Sequence, residues 1–116
     1  PPTVHPQANR VSAHNLQGEI EWTWSGPYRL NGLTLGPDDQ TLVLGAGPRS
    51  SDRRRDLYGA LVFDLSAGEL ETVCSTEGPV FFDQVLTEDG RIAVIEYPGR
   101  GEDETLFGGY RVVVFR

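Results

Sequence analysis

The sequence predicts an all-β fold, with two four-stranded antiparallel units inside one domain. Short runs of valine, leucine, isoleucine and phenylalanine alternate with turns, and the 116 residues include 14 glycines and 8 prolines to make those turns. No stretch carries its apolar residues at the 3.6-residue spacing of a helix. The chain also matches itself at an offset of 50–52 residues. A chain of this length makes one domain and buries roughly two-thirds of its surface, enough for one core.

Residues 1–10, with three prolines and no apolar period, are expected to be an irregular arm. The rest, 11–116, is one all-β domain. Strands are expected at Arg10–Asn15, Glu19–Trp24, Tyr28–Leu35, Thr41–Gly45, Tyr58–Leu65, Glu69–Val73, Val80–Leu86, Arg91–Tyr97 and Tyr110–Arg116. Glu19–Trp24 alternates acidic and apolar residues, as a half-buried strand does. Leu42-Val43-Leu44, Leu61-Val62-Phe63, Ile92-Ala93-Val94-Ile95 and Val112-Val113-Val114-Phe115 are unbroken apolar runs, which fit strands covered on both faces. Leu42, Leu44, Leu61, Phe63, Ile92, Val94, Val113 and Phe115 are the expected core.

The self-match runs through the whole domain. Gly18-Glu19-Ile20-Glu21 aligns with Gly68-Glu69-Leu70-Glu71, and Gly26-Pro27 with Gly78-Pro79. Leu33-Thr34-Leu35-Gly36-Pro37-Asp38-Asp39-Gln40 aligns with Gln84-Val85-Leu86-Thr87-Glu88-Asp89-Gly90-Arg91. Tyr58-Gly59-Ala60-Leu61-Val62-Phe63 aligns with Tyr110-Arg111-Val112-Val113-Val114-Phe115. The units span about 18–67 and 68–116, each an outer strand, a hairpin pair, a long loop and a final strand.

Two stretches carry a resemblance. Leu35-Gly36-Pro37-Asp38-Asp39-Gln40-Thr41-Leu42 and Val62-Phe63-Asp64-Leu65-Ser66-Ala67-Gly68-Glu69-Leu70 resemble the turn and exit strand of a β-propeller blade. The stretch 31–42 is similar to the blade turn of gluconolactonase-type propellers, and 11–22 to the blade junction of quinoprotein-like ones, one residue short. The resemblance covers 11–116 and implies blade-like units. Asp39 departs from it, standing where a turn glycine is usual. So does the ligand set: a lactonase's metal ligands cannot be completed, so no metal role passes to Asn31 or Asp83.

Two sheets packed together cover one face each, and a closed propeller needs about four to eight blades. The expectation is therefore a propeller-type assembly of three or four copies, a small β-sandwich, or a piece of a longer propeller. Arg10–Asn15 is positioned to complete a neighbouring blade.

Net charge is −7. A surface tracking phosphates needs a basic surplus, so no nucleic acid is expected as partner. All ten basic residues are arginine. The absence of lysine excludes Schiff-base chemistry and the phosphate-loop lysine. This bias accompanies GC-rich coding and points to a bacterium or phage. Cys74 is the sole cysteine, so there is no internal disulfide and no paired-cysteine zinc site; it is expected as a small half-buried hydrophobe. The histidines, His5 and His14, are both near the N-terminus, which leaves no nucleophile–base pair to expect. Neither a leader nor a membrane span is evident, and the expected setting is cytoplasmic, or a virion for a phage protein. No cofactor, no metal and no catalytic residue is expected.

Two candidate binding sites remain. Trp22 and Trp24 project from one side of one strand and Tyr28 follows the next turn, an arrangement that packs between sheets or stacks on a sugar ring. Arg53, Arg54 and Arg55 occupy a loop equivalent to one carrying Glu102, Asp103 and Glu104, so a basic loop answers an acidic one. The acidic tips Asp38-Asp39 and Glu88-Asp89 are explained by turn chemistry. The leading functional expectation is a non-catalytic binding or structural module that self-assembles and presents loops to a protein partner. The alternatives are a metal-dependent propeller lactonase or hydrolase fragment, and a carbohydrate-binding propeller.

Overall fold

A computed structural model describes residues 10–47, 57–100 and 105–116. Its described residues form strands and turns. The strands are β1 (Arg10–His14), β2 (Ile20–Ser25), β3 (Arg29–Leu35), β4 (Thr41–Gly47), β5 (Gly59–Asp64), β6 (Glu69–Ser75), β7 (Val80–Leu86), β8 (Ile92–Glu96), β9 (Gly99–Arg100), β10 (Leu106–Phe107) and β11 (Arg111–Phe115). The nine long strands stand where the apolar runs place them.

They make a four-stranded sheet β3-β4-β5-β6, a three-stranded sheet β11-β8-β7 and the two-stranded ribbons β1-β2 and β9-β10, all antiparallel. The grouping lies one strand later than the sequence units. β2 was expected beside β3, but it pairs with β1 and belongs to a separate ribbon. A glycine–proline turn at Gly26-Pro27 leads from one layer to the next, and strand pattern alone does not show that change of layer.

The two larger sheets share a register. Leu35, Leu42 and Phe63 lie side by side across β3, β4 and β5, as do Leu86, Ile92 and Phe115 across β7, β8 and β11. The next row is Thr34, Val43 and Val62 in one sheet and Val85, Ala93 and Val114 in the other. Both first strands are irregular beyond this point, β3 between Asn31 and Thr34 and β7 between Val80 and Gln84.

Successive rows point to opposite faces. Leu42, Leu44, Leu61 and Phe63 therefore share one face, which packs under the β1-β2 ribbon with Val11, Trp24 and Leu70. Val43, Ala60 and Val62 share the other, which packs on Val80, Ile92 and Val94 with Val113 and Phe115 at the flank. Both faces of the four-stranded sheet are thus covered, as its unbroken apolar runs require. Leu42, Leu44, Leu61, Phe63, Ile92 and Val94 are buried as expected. Val113 and Phe115 are half-buried, because β11 is the edge strand of its sheet. β7 crosses β3 and β4 closely. A β-carbon on Gly45 would stand 2.6 Å from the Phe81 carbonyl oxygen, so this crossing needs a residue without a side chain.

The β3–β4 and β7–β8 turns share one bond, although the first is a residue longer, Gly36 N–H donating to Thr41 O where Thr87 N–H donates to Arg91 O. Asp39 N–H donates to Gly36 O, and Gly90 N–H to Thr87 O. Gly90 has φ 85° and Asp39 has φ 58°, so the aspartate takes the left-handed conformation its glycine counterpart supplies freely. Asp38 accepts from the Gln40 and Thr41 amides and the Thr41 hydroxyl. These bonds, the Gln40 amide foremost, hold its carboxyl below the usual carboxylate range. Asp64 caps the β5–β6 turn likewise, accepting from the Ser66 hydroxyl and the Ser66 and Ala67 amides. Its pKa is lowered too, chiefly by the Ser66 hydroxyl. Among the described residues no helix is long and apolar enough to cross a membrane.

Candidate functional site

The aromatic trio lies between layers. Trp24 sits opposite Val11 and Trp22 opposite Ala13 in the β1-β2 ribbon. Trp22 Nε1–H donates to Leu65 O at 3.1 Å, and its ring lies over Gly68. Trp24 meets Phe63 edge-on, with ring centroids 5.1 Å apart, and stacks on Tyr28 at 6.5 Å. All three are half-buried. Arg53, Arg54, Arg55, Glu102, Asp103 and Glu104 lie outside the described residues.

Two buried polar residues carry no mark in the sequence. Glu96 ends β8 with its side chain 3% exposed. It accepts from the Glu77 amide at 2.8 Å and pairs with Arg111 at 3.1 Å, joining the β6–β7 connection to the edge strand β11. Burial alone would push its carboxyl up. The Gly78 amide, the Arg111 guanidinium and the Glu77 amide outweigh burial and leave the pKa below the ordinary glutamate value. Gln84, 6% exposed, points Nε2 at the carbonyls of Asn31 and Val43, 3.5 Å from each, and its Oε1 has no partner among the described residues. Cys74 is half-buried against the core below Val43 and Ala60, and burial raises its thiol pKa, which disfavours the reactive thiolate.

A cleft of about 520 Å³ lies between the β3–β4 and β7–β8 turns, with Asp38, Glu71 and Glu88 among its lining. The Asp38 carboxylate is already engaged by its own turn. Among the described residues no group of three or more His, Cys, Asp or Glu side chains stands close enough to hold a metal ion. Asn31 donates to the Arg29 carbonyl within its own strand.

The largest chemical opportunity is apolar. On the outer face of the β7-β8-β11 sheet, Val85 is 58% exposed, Val112 67% and Val114 50%. Ala93 pairs with Val114 and Ile95 with Val112, which makes the face continuous. At the opposite end, the β1-β2 ribbon covers only part of the four-stranded sheet. Leu33 and Leu35 on β3 are open there, and beside them is a groove of about 360 Å³ walled by Arg10–Ser12 and floored by Leu30, Leu42 and Leu44. β1 bonds only to β2 among the described residues, so its other edge borders this groove unpaired. The sequence shows the apolar runs at both places but not which layer covers them. The chain matches no protein-family model, no curated protein and no solved structure in the three comparisons made.

Proposed function

We propose that the chain is a non-catalytic binding or structural module that self-assembles through its sheet faces and presents loops to a protein partner. One observation carries this reading. The Val85, Val112 and Val114 face is open, while the matching rows of the four-stranded sheet, with Val43, Ala60 and Val62, are buried under another sheet. Contiguous exposed apolar surface of this kind marks an interaction site.

A propeller-type, blade-like arrangement of repeats is the form of assembly we favour. The rows of the two larger sheets match from Leu35 and Leu86 onward, and each sheet turns the same rows toward the element before it. The Cα extents are 47 × 39 × 17 Å. The shortest is close to the length of one strand, as in a slab of sheets standing side by side with strands along the thin axis. Arg53 to Arg55 and Glu102 to Glu104 enter the reading from their sequence alone, as oppositely charged loops offered to a partner or neighbour.

Size-exclusion chromatography with light scattering tests self-assembly directly. The expected result is a mass above 12.8 kDa that rises with concentration. A monomer throughout the range up to about 0.5 mM, where even weak associations of millimolar order become visible, overturns the reading.

A further inference from the structure

We infer that the Asn31-Gly32 peptide is a site of spontaneous covalent modification, at which the Asn31 side-chain amide is lost as ammonia and aspartate or isoaspartate is left in its place. The inference does not depend on self-assembly. The attacking group in this chemistry is the backbone nitrogen of the following residue, and glycine puts no β-carbon in its way. The step balances without a catalyst. Gly32 N bonds to Asn31 Cγ, the Cγ–Nδ2 bond breaks, and the proton from Gly32 N leaves with Nδ2 as ammonia. Water then opens the five-membered succinimide at one of its two carbonyls. Opening at Cγ gives aspartate in a normal chain. Opening at the main-chain carbonyl gives isoaspartate, in which the backbone runs through the side chain. The structure singles out this asparagine. The chain has three, Asn9, Asn15 and Asn31, and the last two lie among the described residues. Asn15 is tied down. Its Oδ1 accepts from the Gln17 and Glu19 amides at 3.0 Å each, and its Nδ2 donates to the Glu19 carboxylate at 3.1 Å. The nitrogen that would attack it belongs to Leu16, whose side chain crowds the approach. Asn31 Nδ2, in contrast, donates to the Arg29 carbonyl at a long 3.4 Å. Asn31 pairs with Gly45 and Thr34 with Val43, so Gly32 and Leu33 together face Leu44, and the regular ladder lapses at this bulge. Gly32 has φ 65°, and both it and Asn31 are half-buried, within reach of water.

The place of the bulge decides what the modification does. The Asn31 carbonyl accepts from Gln84 Nε2 at 3.5 Å, and Thr34 Oγ1 donates to Gln84 O at 3.0 Å, so this segment joins β3 to β7. A β-carbon on Gly47 would stand 2.6 Å from Asn31 Nδ2, which puts the amide in a close-packed spot. A carboxylate there has no hydrogen to give the Arg29 carbonyl and sets its charge against that oxygen. Isoaspartate turns the Asn31 carbonyl that Gln84 uses into a branch carboxylate and lengthens the main chain by a methylene. Both products loosen the joint between the two larger sheets.

The test holds the native full chain in warm, mildly alkaline buffer, with samples taken over days and a parallel sample kept in urea. Every basic residue is arginine, so trypsin puts the three asparagines in separate peptides, 1–10, 11–29 and 30–49. Peptide 30–49 from the native sample is expected to gain the mass of an amide turned to an acid. It is also expected to accept methyl groups from an isoaspartate-specific carboxyl methyltransferase. Its rate should exceed that of peptide 11–29 by on the order of tenfold, a barrier difference of about 1.4 kcal/mol. Two results overturn the site: peptide 30–49 reacting no faster than 11–29, and peptide 30–49 reacting only in the urea sample. The consequence is tested with Asn31→Asp, expected to unfold at a lower urea concentration than the wild type. If that variant does not fold, aged wild type separated by charge is measured in its place. An unchanged midpoint overturns the loosening of the joint.

Discussion

At the scale of single residues, Glu96 ties the ends of β8 and β11 to the β6–β7 connection, and its removal has a calculable cost. Its carboxylate accepts a backbone amide and a guanidinium while nearly inaccessible to water. Glu96→Gln is expected to destabilise by about 1.5–3 kcal/mol at pH 7, the range for hydrogen bonds to charged groups. Because the folded pKa lies below the ordinary value of 4.5, this stabilisation is present above about pH 4.5 and fades as pH falls through the folded value. Urea unfolding of both proteins at pH 7 and pH 3 should show the gap closing in acid. An equal gap at both would mean that the charge contributes nothing. Asp39 offers the opposite sign. Asp39→Gly relieves a left-handed residue and should stabilise by about 0.5–1 kcal/mol, net of the flexibility glycine adds to the unfolded chain. Gly90→Ala at the matching turn should cost about 1 kcal/mol by the same argument, and thermal melts of the pair decide both.

At the scale of elements, the central strands carry the stability and the edge strands do not. Phe63 is fully buried on β5, so Phe63→Ala is expected to cost about 3–5 kcal/mol. Phe115 occupies the same row in its own sheet but sits on an edge strand, and Phe115→Ala should cost roughly half as much. Equal losses in chemical denaturation would show that β11 is covered as completely as β5. The sequence made these strands legible because period-two alternation and unbroken apolar runs are local signals. Its self-match aligns Phe63 with Phe115, and these two pair across their own sheets with Leu42 and Ile92. It did not reveal that β2 leaves the sheet that follows it, since layer membership depends on contacts across many residues. β9 and β10 are two residues each, too short to leave a pattern. Gln84 and Glu96 were invisible as buried groups, because their partners come from Asn31, Val43 and Arg111 in other strands. The aromatic trio was legible as a unit, and Trp24 and Tyr28 stand half-buried against the core of the four-stranded sheet. The open valine face was legible as apolar, not as open.

At the scale of the whole molecule, charge and apolar contact pull against each other. Each copy carries a net charge of −7, so copies repel at long range. Salt screens that repulsion within about 8–10 Å, while it does not weaken apolar contact. Self-association driven by the sheet faces should therefore strengthen from about 0.05 to 0.5 M sodium chloride, where the Debye length shrinks severalfold. Attraction between Arg53–Arg55 and Glu102–Glu104 of neighbouring copies predicts the reverse, a weakening with salt. Sedimentation equilibrium across that range separates the two, and a charge reversal at 102, 103 and 104 should matter only in the second case.

The β1-β2 ribbon is attached to the rest of the chain chiefly through one face, and both tryptophans of the protein sit on it. Units that open locally are those with the least buried contact, while strands β4 and β5 exchange their amide hydrogens only when nearly everything opens. The protein thus carries its only indole fluorophores on a module held to the rest chiefly through one face. Intrinsic emission reports detachment of that ribbon rather than collapse of the core. In a denaturant titration, the fluorescence midpoint should fall below the midpoint for amide protection in β4 and β5, and coincident midpoints would mean that ribbon and core open as a single cooperative unit.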